Sequence, residues 1–258
     1  MTAALTEQIV TALAEFSSTT RLYELKIDNG CVDLGTGGLL VEAFAANDAL
    51  NEVGARDVIV LSTSAYVDRD ALIGKPAALE ISLADSTRMR FAGDISEVAM
   101  LGSDGGFARY RVRISPWLAR LEHVRNSRVW QDKTVINIID SVFEAYQPLA
   151  RWRWSDESGS FMGEAMKRSY CCQYRESDLV FVCRLLAEEG LNWRFEQTDE
   201  GPCMVLFADS TRSGAVPDDP SSELEGVSAT MLPAQSSMPT RCRRWSKSAA
   251  CMLRSLRC

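Results

Sequence analysis

The stretch Arg109-Tyr110-Arg111-Val112-Arg113-Ile114-Ser115-Pro116-Trp117-Leu118 decides the fold class. Tyr110, Val112 and Ile114 alternate with Arg109, Arg111 and Arg113. Successive side chains of a strand point to opposite faces, so this is a strand with an apolar inner face and a cationic outer one. Pro116 has no N–H for a ladder, so the strand ends there. The same period of two runs upstream. Tyr23, Leu25 and Ile27 alternate with Glu24 and Lys26, and Leu79, Ile81 and Leu83 alternate with Glu80 and Ser82. Residues 39–44 and 58–61 read as short strands, and 91–100 as another, with Gly93 as its expected bulge or turn. Turns at Asp28-Asn29-Gly30, at Gly35, Gly37 and Gly38, and at Ser103-Asp104-Gly105-Gly106 separate them. Many short strands joined by glycine-rich turns predict an antiparallel barrel or sandwich.

Helical spacing appears on either side. Ile9, Val10, Leu13 and Phe16 predict a short amphipathic helix over 6–16, with Thr6 as a possible N-cap. Val135, Ile138, Ile139, Val142, Phe143 and Tyr146 share one helical face, with Pro148 beyond its end. A third helix is predicted from Ser177 to Glu189. Ser177 suits the N-cap, Asp178 the positive end of the helix dipole, and Gly190 the left-handed position after the last turn. Leu179, Val182, Cys183, Leu185 and Leu186 form its buried stripe. Strands at 193–195 and 204–207 follow, split by a turn at Asp199-Glu200-Gly201-Pro202. In Arg151-Trp152-Arg153-Trp154, strand alternation puts both tryptophans inward and both arginines outward.

Composition excludes several classes. The 258 residues are 46% hydrophobic and 24% charged, as in a folded chain with a core. The net charge of −7 gives no overall positive field for nucleic acid. No run approaches the apolar length of a membrane span, and residues 1–16 lack the basic start of a signal peptide. The chain is therefore expected to be cytoplasmic at first. Eight cysteines include no C-x-x-C, and His123 is the sole histidine, so free thiols are expected and no zinc set. On a strand, Cys171 and Cys172 face opposite ways, one to the core and one outward.

The search for chemistry returns no catalytic constellation. Phosphate-loop, dinucleotide, zinc-protease and nucleophile-elbow motifs are missing from the sequence. Gly35-Thr36-Gly37-Gly38 leads into a strand, not a helix N-terminus, so it reads as a turn. His123 could act as a base oriented by Glu122 or Asp132, but no motif joins it to a nucleophile. Glu188-Glu189 reads as a solvated helix end and Asp218-Asp219 as a proline-flanked loop. No catalytic, cofactor or metal residue is nominated, and no small-molecule substrate is expected.

Two blocks are more particular. One is Arg109–Leu118 continuing through Asn126-Ser127-Arg128-Val129-Trp130-Gln131-Asp132-Lys133-Thr134-Val135 to Ile138-Ile139. The other is Tyr170-Cys171-Cys172-Gln173-Tyr174-Arg175-Glu176-Ser177-Asp178-Leu179, then Phe181-Val182 and Arg184–Leu191. Together with Leu61–Ser64 and Asp70–Pro76, they resemble the N-terminal hub region of the VgrG spike family of type VI secretion. That region is similar to phage late control protein D. The resemblance covers roughly residues 20–225. It implies a mainly β fold with some α, built from barrel-like tube domains, the second incomplete here. It also implies a structural, non-enzymatic protein. Such a hub trimerises, caps the Hcp tube ring and is expelled through the type VI apparatus when the sheath contracts. The resemblance further implies that Tyr170 and Tyr174 anchor a strand.

The expected organisation is a helical segment over 1–21, a first barrel over 22–115, an α/β portion and the start of a second barrel over 116–225, and an atypical tail over 226–258. The tail has no acidic residue and six basic ones, Arg241, Arg243, Arg244, Lys247, Arg254 and Arg257; residues 1–225 carry −13. Such a shift fits a disordered end or sequence read out of frame in a truncated coding region. Reading the neighbouring DNA in its other frames checks this. A hub-like continuation in another frame is the expected outcome, and its absence removes the idea.

Overall fold

The computed structural model describes residues 22–28, 38–83, 87–104, 106–162, 167–208, 222–224 and 227–228. The expected helix over 6–16, the glycines at 30, 35 and 37, the Asp218-Asp219 pair and most of the tail lie outside these residues. The chain divides into two units. One comprises residues 1–48, 54–114 and 217–258; the other comprises 49–53 and 115–216.

The first unit contains β1 (Tyr23–Ile27), β2 (Leu40–Asn47), β3 (Ala55–Ser62), the short helix α1 (Arg69–Leu72), β4 (Pro76–Ser82), β5 (Arg88–Asp104) and β6 (Phe107–Ser115). The six strands form one sheet in the order β1-β4-β5-β6-β3-β2. β5 is 17 residues long and serves both halves. Up to Asp94 it pairs antiparallel with β4; further on it lies beside β6, where Ser96 Oγ donates to the Arg113 carbonyl at 3.3 Å. The sheet curls, and its outer strands meet through Tyr23 and Phe44, whose rings sit edge to face with centroids 5.2 Å apart.

Alternation explains the two faces. Val58, Val60, Leu79, Ile95, Tyr110, Val112 and Ile114 are buried together. The opposite face carries cross-strand ion pairs. Arg113 reaches Asp57 at 2.8 Å, Arg109 reaches Glu42 at 2.7 Å, and Arg111 pairs with Glu97. Exposed pairs of this kind each contribute only about 0–1 kcal/mol, so the buried face dominates the unit's stability.

One expectation is corrected here, and one polar position of the alternation proves buried. Gly93 is neither bulge nor turn: it sits in register opposite Ala77, inside a strand that runs well past both ends of the expected one. Glu80 does not face water. It is buried, held by Lys26 at 2.8 Å and by Arg88. Burial opposes its ionisation, but the two cations outweigh burial and hold its carboxyl below the usual range.

The second unit contains a 3-10 helix (Trp117–His123), β7 (Arg125–Trp130), α2 (Val135–Glu144), β8 (Trp152–Trp154), α3 (Asp156–Met162), β9 (Cys171–Ser177), α4 (Asp178–Glu188), β10 (Asn192–Thr198) and β11 (Gly201–Phe207). β10, β11 and β8 form one sheet, in which β8 runs parallel to β11. β7 and β9 form a separate antiparallel ribbon. Trp117 follows the strand-ending Pro116 into the core. There it meets Phe143 and Phe195 edge to face and donates its indole N–H to the Arg151 carbonyl at 3.2 Å. Ile138, Ile139, Val142, Val182, Leu185 and Leu186 join this core as the helical spacings predict; Phe181, outside the predicted stripe, is buried with them, while Leu179 and Cys183 are only half-buried. Asn51 is tied to Trp193 by two hydrogen bonds of 3.0 and 2.9 Å. Two more short strands, β12 (Ser222–Leu224) and β13 (Val227–Ser228), pair with each other.

The cap at Ser177 follows the sequence, and Thr134 caps α2 without having been singled out there. Thr134 accepts from the Asn137 N–H at 3.2 Å and Ser177 from that of Val180 at 3.2 Å, and Gly190 has φ +69°. Cys171 is buried and Cys172 half-buried, near the predicted alternation. Tyr170 and Tyr174 are the contrary case. They are 60% and 67% exposed, so they do not anchor β9 by burial. The turn expected over 199–202 is shorter, because β11 already begins at Gly201.

Gly54 marks the tightest backbone approach. A Cβ there would stand 2.8 Å from the Asn47 carbonyl oxygen, whereas one at Gly159 would meet nothing within 4 Å. Urea unfolding should show Gly54→Ala destabilised by about 1–3 kcal/mol and Gly159→Ala unchanged or slightly stabilised.

Candidate functional site: a buried carboxylate junction

Asp178 opens α4 and is completely buried. Its place in the first turn lets the helix dipole favour its negative charge. Its N–H donates to the Val124 carbonyl at 2.9 Å. Four side chains donate to its carboxylate. Asn126 Nδ2 lies 2.9 and 3.1 Å from the two oxygens, Gln173 Nε2 2.7 Å from one, Tyr146 Oη 2.7 Å and Arg128 3.3 Å from the other. Asn126 and Arg128 come from β7, Gln173 from β9, and Tyr146 from just beyond α2. One carboxylate thus joins four segments of the second unit.

Burial disfavours the charged carboxylate, but the donors from Asn126, Gln173 and Tyr146 and the Arg128 charge more than offset it. They hold the Asp178 carboxyl below its ordinary range. Burial and the adjacent carboxylate push the Tyr146 phenol far up, so it stays a donor.

The junction shapes the ribbon outside it. From Arg128↔Gln173 to Trp130↔Cys171 the two strands are in regular register, but Asn126 pairs with Glu176 while Ser127 pairs with Tyr174. Arg175 is the extra residue of this bulge, with φ +54°. Its N–H donates to Ser127 Oγ at 3.3 Å. Glu188 and Glu189 are not a free helix end. Arg168 reaches them at 2.7 and 2.5 Å, and Arg184 spans Glu176 at 2.7 Å and Glu188 at 3.0 Å.

Arg151-Trp152-Arg153-Trp154 alternates as expected. Both indole N–H groups donate to Asp140 Oδ1, at 2.7 and 3.0 Å, while Arg153 pairs with Glu196 at 2.8 Å and Arg151 with Glu200. These residues border an open depression of about 840 Å³, whose lining includes Glu144 and Cys203. Burial pushes the Cys203 thiol up, away from the reactive thiolate. His123 is exposed at the end of the 3-10 helix, with no hydrogen bond to Glu122 or Asp132 among the described residues. Among those residues, no three His, Cys, Asp or Glu groups converge to hold a metal ion, and no helix is long and apolar enough to cross a membrane.

Sequence reading placed Asp178 correctly at a helix start but saw only the dipole. The available signal was polar residues at inward positions on two strands: Asn126 and Arg128 on β7, Gln173 on β9.

Removing the carboxylate leaves buried donors without an acceptor. Asp178→Ala should cost about 2–3 kcal/mol, and Tyr146→Phe about 1 kcal/mol, in chemical unfolding at pH 7. Because folding lowers this carboxyl's proton affinity, its contribution is fully present above about pH 4, where an unfolded aspartate titrates. It is lost as pH falls through the lower native value. The gap between parent and Asp178→Ala should therefore be constant from pH 7 to about 5 and shrink below 4.

Residues 47–252 match the family described as phage tail baseplate hub (GPD). The match runs past Gly226, where the resemblance read from individual residues fades. The type VI secretion system spike protein VgrG1b of Pseudomonas aeruginosa is 30% identical over 178 residues, covering 67% of this chain and 22% of that protein. VgrG1c of the same organism is 30% identical over 196 residues, covering 74% of this chain and 25% of its own length. The chain thus spans about a quarter of the length of these curated relatives. Among solved structures, the E. coli c3393 protein superposes with a TM-score of 0.60 at 23% identity, over 73% of this chain and 50% of the other. It is described as a component of the type VI secretion system with structural similarity to the T4 bacteriophage tail proteins gp27 and gp5, and the likeness extends to the fold. With its curled β-barrel sheet and a match across most of its length, the chain belongs to the phage tail baseplate hub family.

Proposed function

We propose that this chain works as the hub portion of a type VI secretion spike. It associates with copies of itself, seats on the end of the Hcp tube, and leaves the cytoplasm through the apparatus when the sheath contracts. The observation that carries this reading is the family match over residues 47–252, together with 30% identity to spike proteins over most of the chain. The chain acts by shape and assembly, without catalysis. The structural nature of its relatives and the solvent exposure of His123 support this. A phage or prophage baseplate hub shares the same fold and family, and gene neighbours separate the two: sheath and Hcp genes against capsid genes. The further reading of a truncated coding region rests on the composition of residues 226–258 alone.

The test mixes purified chain with Hcp tubes from the same organism and images them by negative-stain electron microscopy. Density on one tube end is expected, unchanged by His123→Ala. Bare ends at an excess of the chain overturn the proposal.

A further inference from the structure

The second unit satisfies most of its arginines internally. Arg128, Arg151, Arg153, Arg168, Arg184 and Arg194 are each held by a carboxylate. Arg125 and Arg175 are both exposed, and neither has a carboxylate partner among the described residues. They lie on the same face of the β7–β9 ribbon. On β7, Arg125, Ser127 and Val129 alternate outward, while Asn126, Arg128 and Trp130 turn in. On β9, Tyr174 stands opposite Ser127 and Cys172 opposite Val129. Alternation puts Tyr170 on this side too.

The bulge then adds a cation to the face. A regular ladder would turn the residue after Tyr174 inward. The extra residue leaves Tyr174 and Arg175 exposed in succession, with the Arg175 guanidinium 5.3 Å from the Tyr174 ring centre. The geometry needs φ +54° at a residue that is not glycine, a conformation that L side chains rarely adopt. Val129 is 53% exposed, so tyrosine, valine and two guanidinium groups without a carboxylate partner among the described residues share one small face. Exposed tyrosine and arginine on a rigid strand are the residue types that carry binding energy in protein interfaces. The charges select the partner. Two guanidinium groups beside apolar surface call for carboxylates flanking an apolar side chain. The net charge of −7 opposes any anion in proportion to its charge, so a peptide with few carboxylates is favoured over a polyanionic nucleic acid.

We infer that the outward face of the β7–β9 ribbon docks an acidic, partly apolar segment of another protein chain. This goes beyond the tube-cap reading and does not depend on it. The probe is a fluorescein-labelled hexapeptide alternating glutamate and leucine, titrated with the full chain and followed by anisotropy. A peptide with lysine for glutamate and a single-stranded oligonucleotide serve as controls. The glutamate peptide should bind, the controls should not, and binding should weaken as salt rises. Arg125→Glu and Tyr174→Ala should each reduce affinity about tenfold or more, and Arg69→Glu in the first unit should not change it. Arg175→Gly is the decisive variant. Glycine accepts the left-handed backbone, so its unfolding midpoint should match or exceed the parent's while peptide affinity falls. Overturning results are no glutamate-peptide binding, equal lysine-peptide or tighter oligonucleotide binding, or unchanged affinity in folded Arg175→Gly. Sedimentation showing self-association that these variants abolish would assign the face to a second copy and also overturn the proposal.

Discussion

The second unit depends on a charge that has left water. A buried carboxylate is tolerated only when donors replace its hydration, and Asp178 has four side chains doing so. That requirement reaches outward. It places Asn126 and Arg128 on the inner face of β7, where apolar residues would otherwise stand. It fixes Gln173 inside β9 and holds the end of α2 through Tyr146. The outer face of the ribbon, with its bulge at Arg175, is framed by these inward commitments.

The first unit uses a different economy. Its interior is apolar, its outer face is a mesh of exposed ion pairs, and its curl is joined by the Tyr23–Phe44 contact. Stability there comes from area removed from water, and the ion pairs serve mainly solubility and register. Such a wall suits a protein that works by assembly. The depression beside Trp152 and Trp154 fits the same picture. Its two indole N–H groups both donate to Asp140.

The strands of the first unit were legible because one side of each is apolar and period two survives in Tyr110-Arg111-Val112-Arg113-Ile114. The helices were legible through their apolar stripes and, for α4, the cap at Ser177; the Thr134 cap of α2 came from the structure. Other features escaped for specific reasons. β7 has polar residues inward, so apolar alternation cannot reveal it. β5 contains Gly93, which a sequence reader takes for a break but which stays in register opposite Ala77. Tyr170 and Tyr174 read as anchors only through the family resemblance, and the alternation of β9 sends them outward. The parallel pairing of β8 with β11 joins residues some fifty positions apart, which no local pattern records.

Local order in the chain was enough for the mainly β character, the ends of the principal helices, the strand stop at Pro116 and the resemblance to tail hubs. Each of these follows from local periodicity, capping chemistry or a long ordered run of residues. The folded chain was needed to show that Asp178 is buried, that Glu80 is held by Lys26 and Arg88, and that Tyr174 and Arg175 are exposed in succession at a bulge of the ribbon. Those facts depend on which distant segments meet. Burial and pairing of a charge are properties of its neighbours in space, and neighbours in space are what the linear order leaves open.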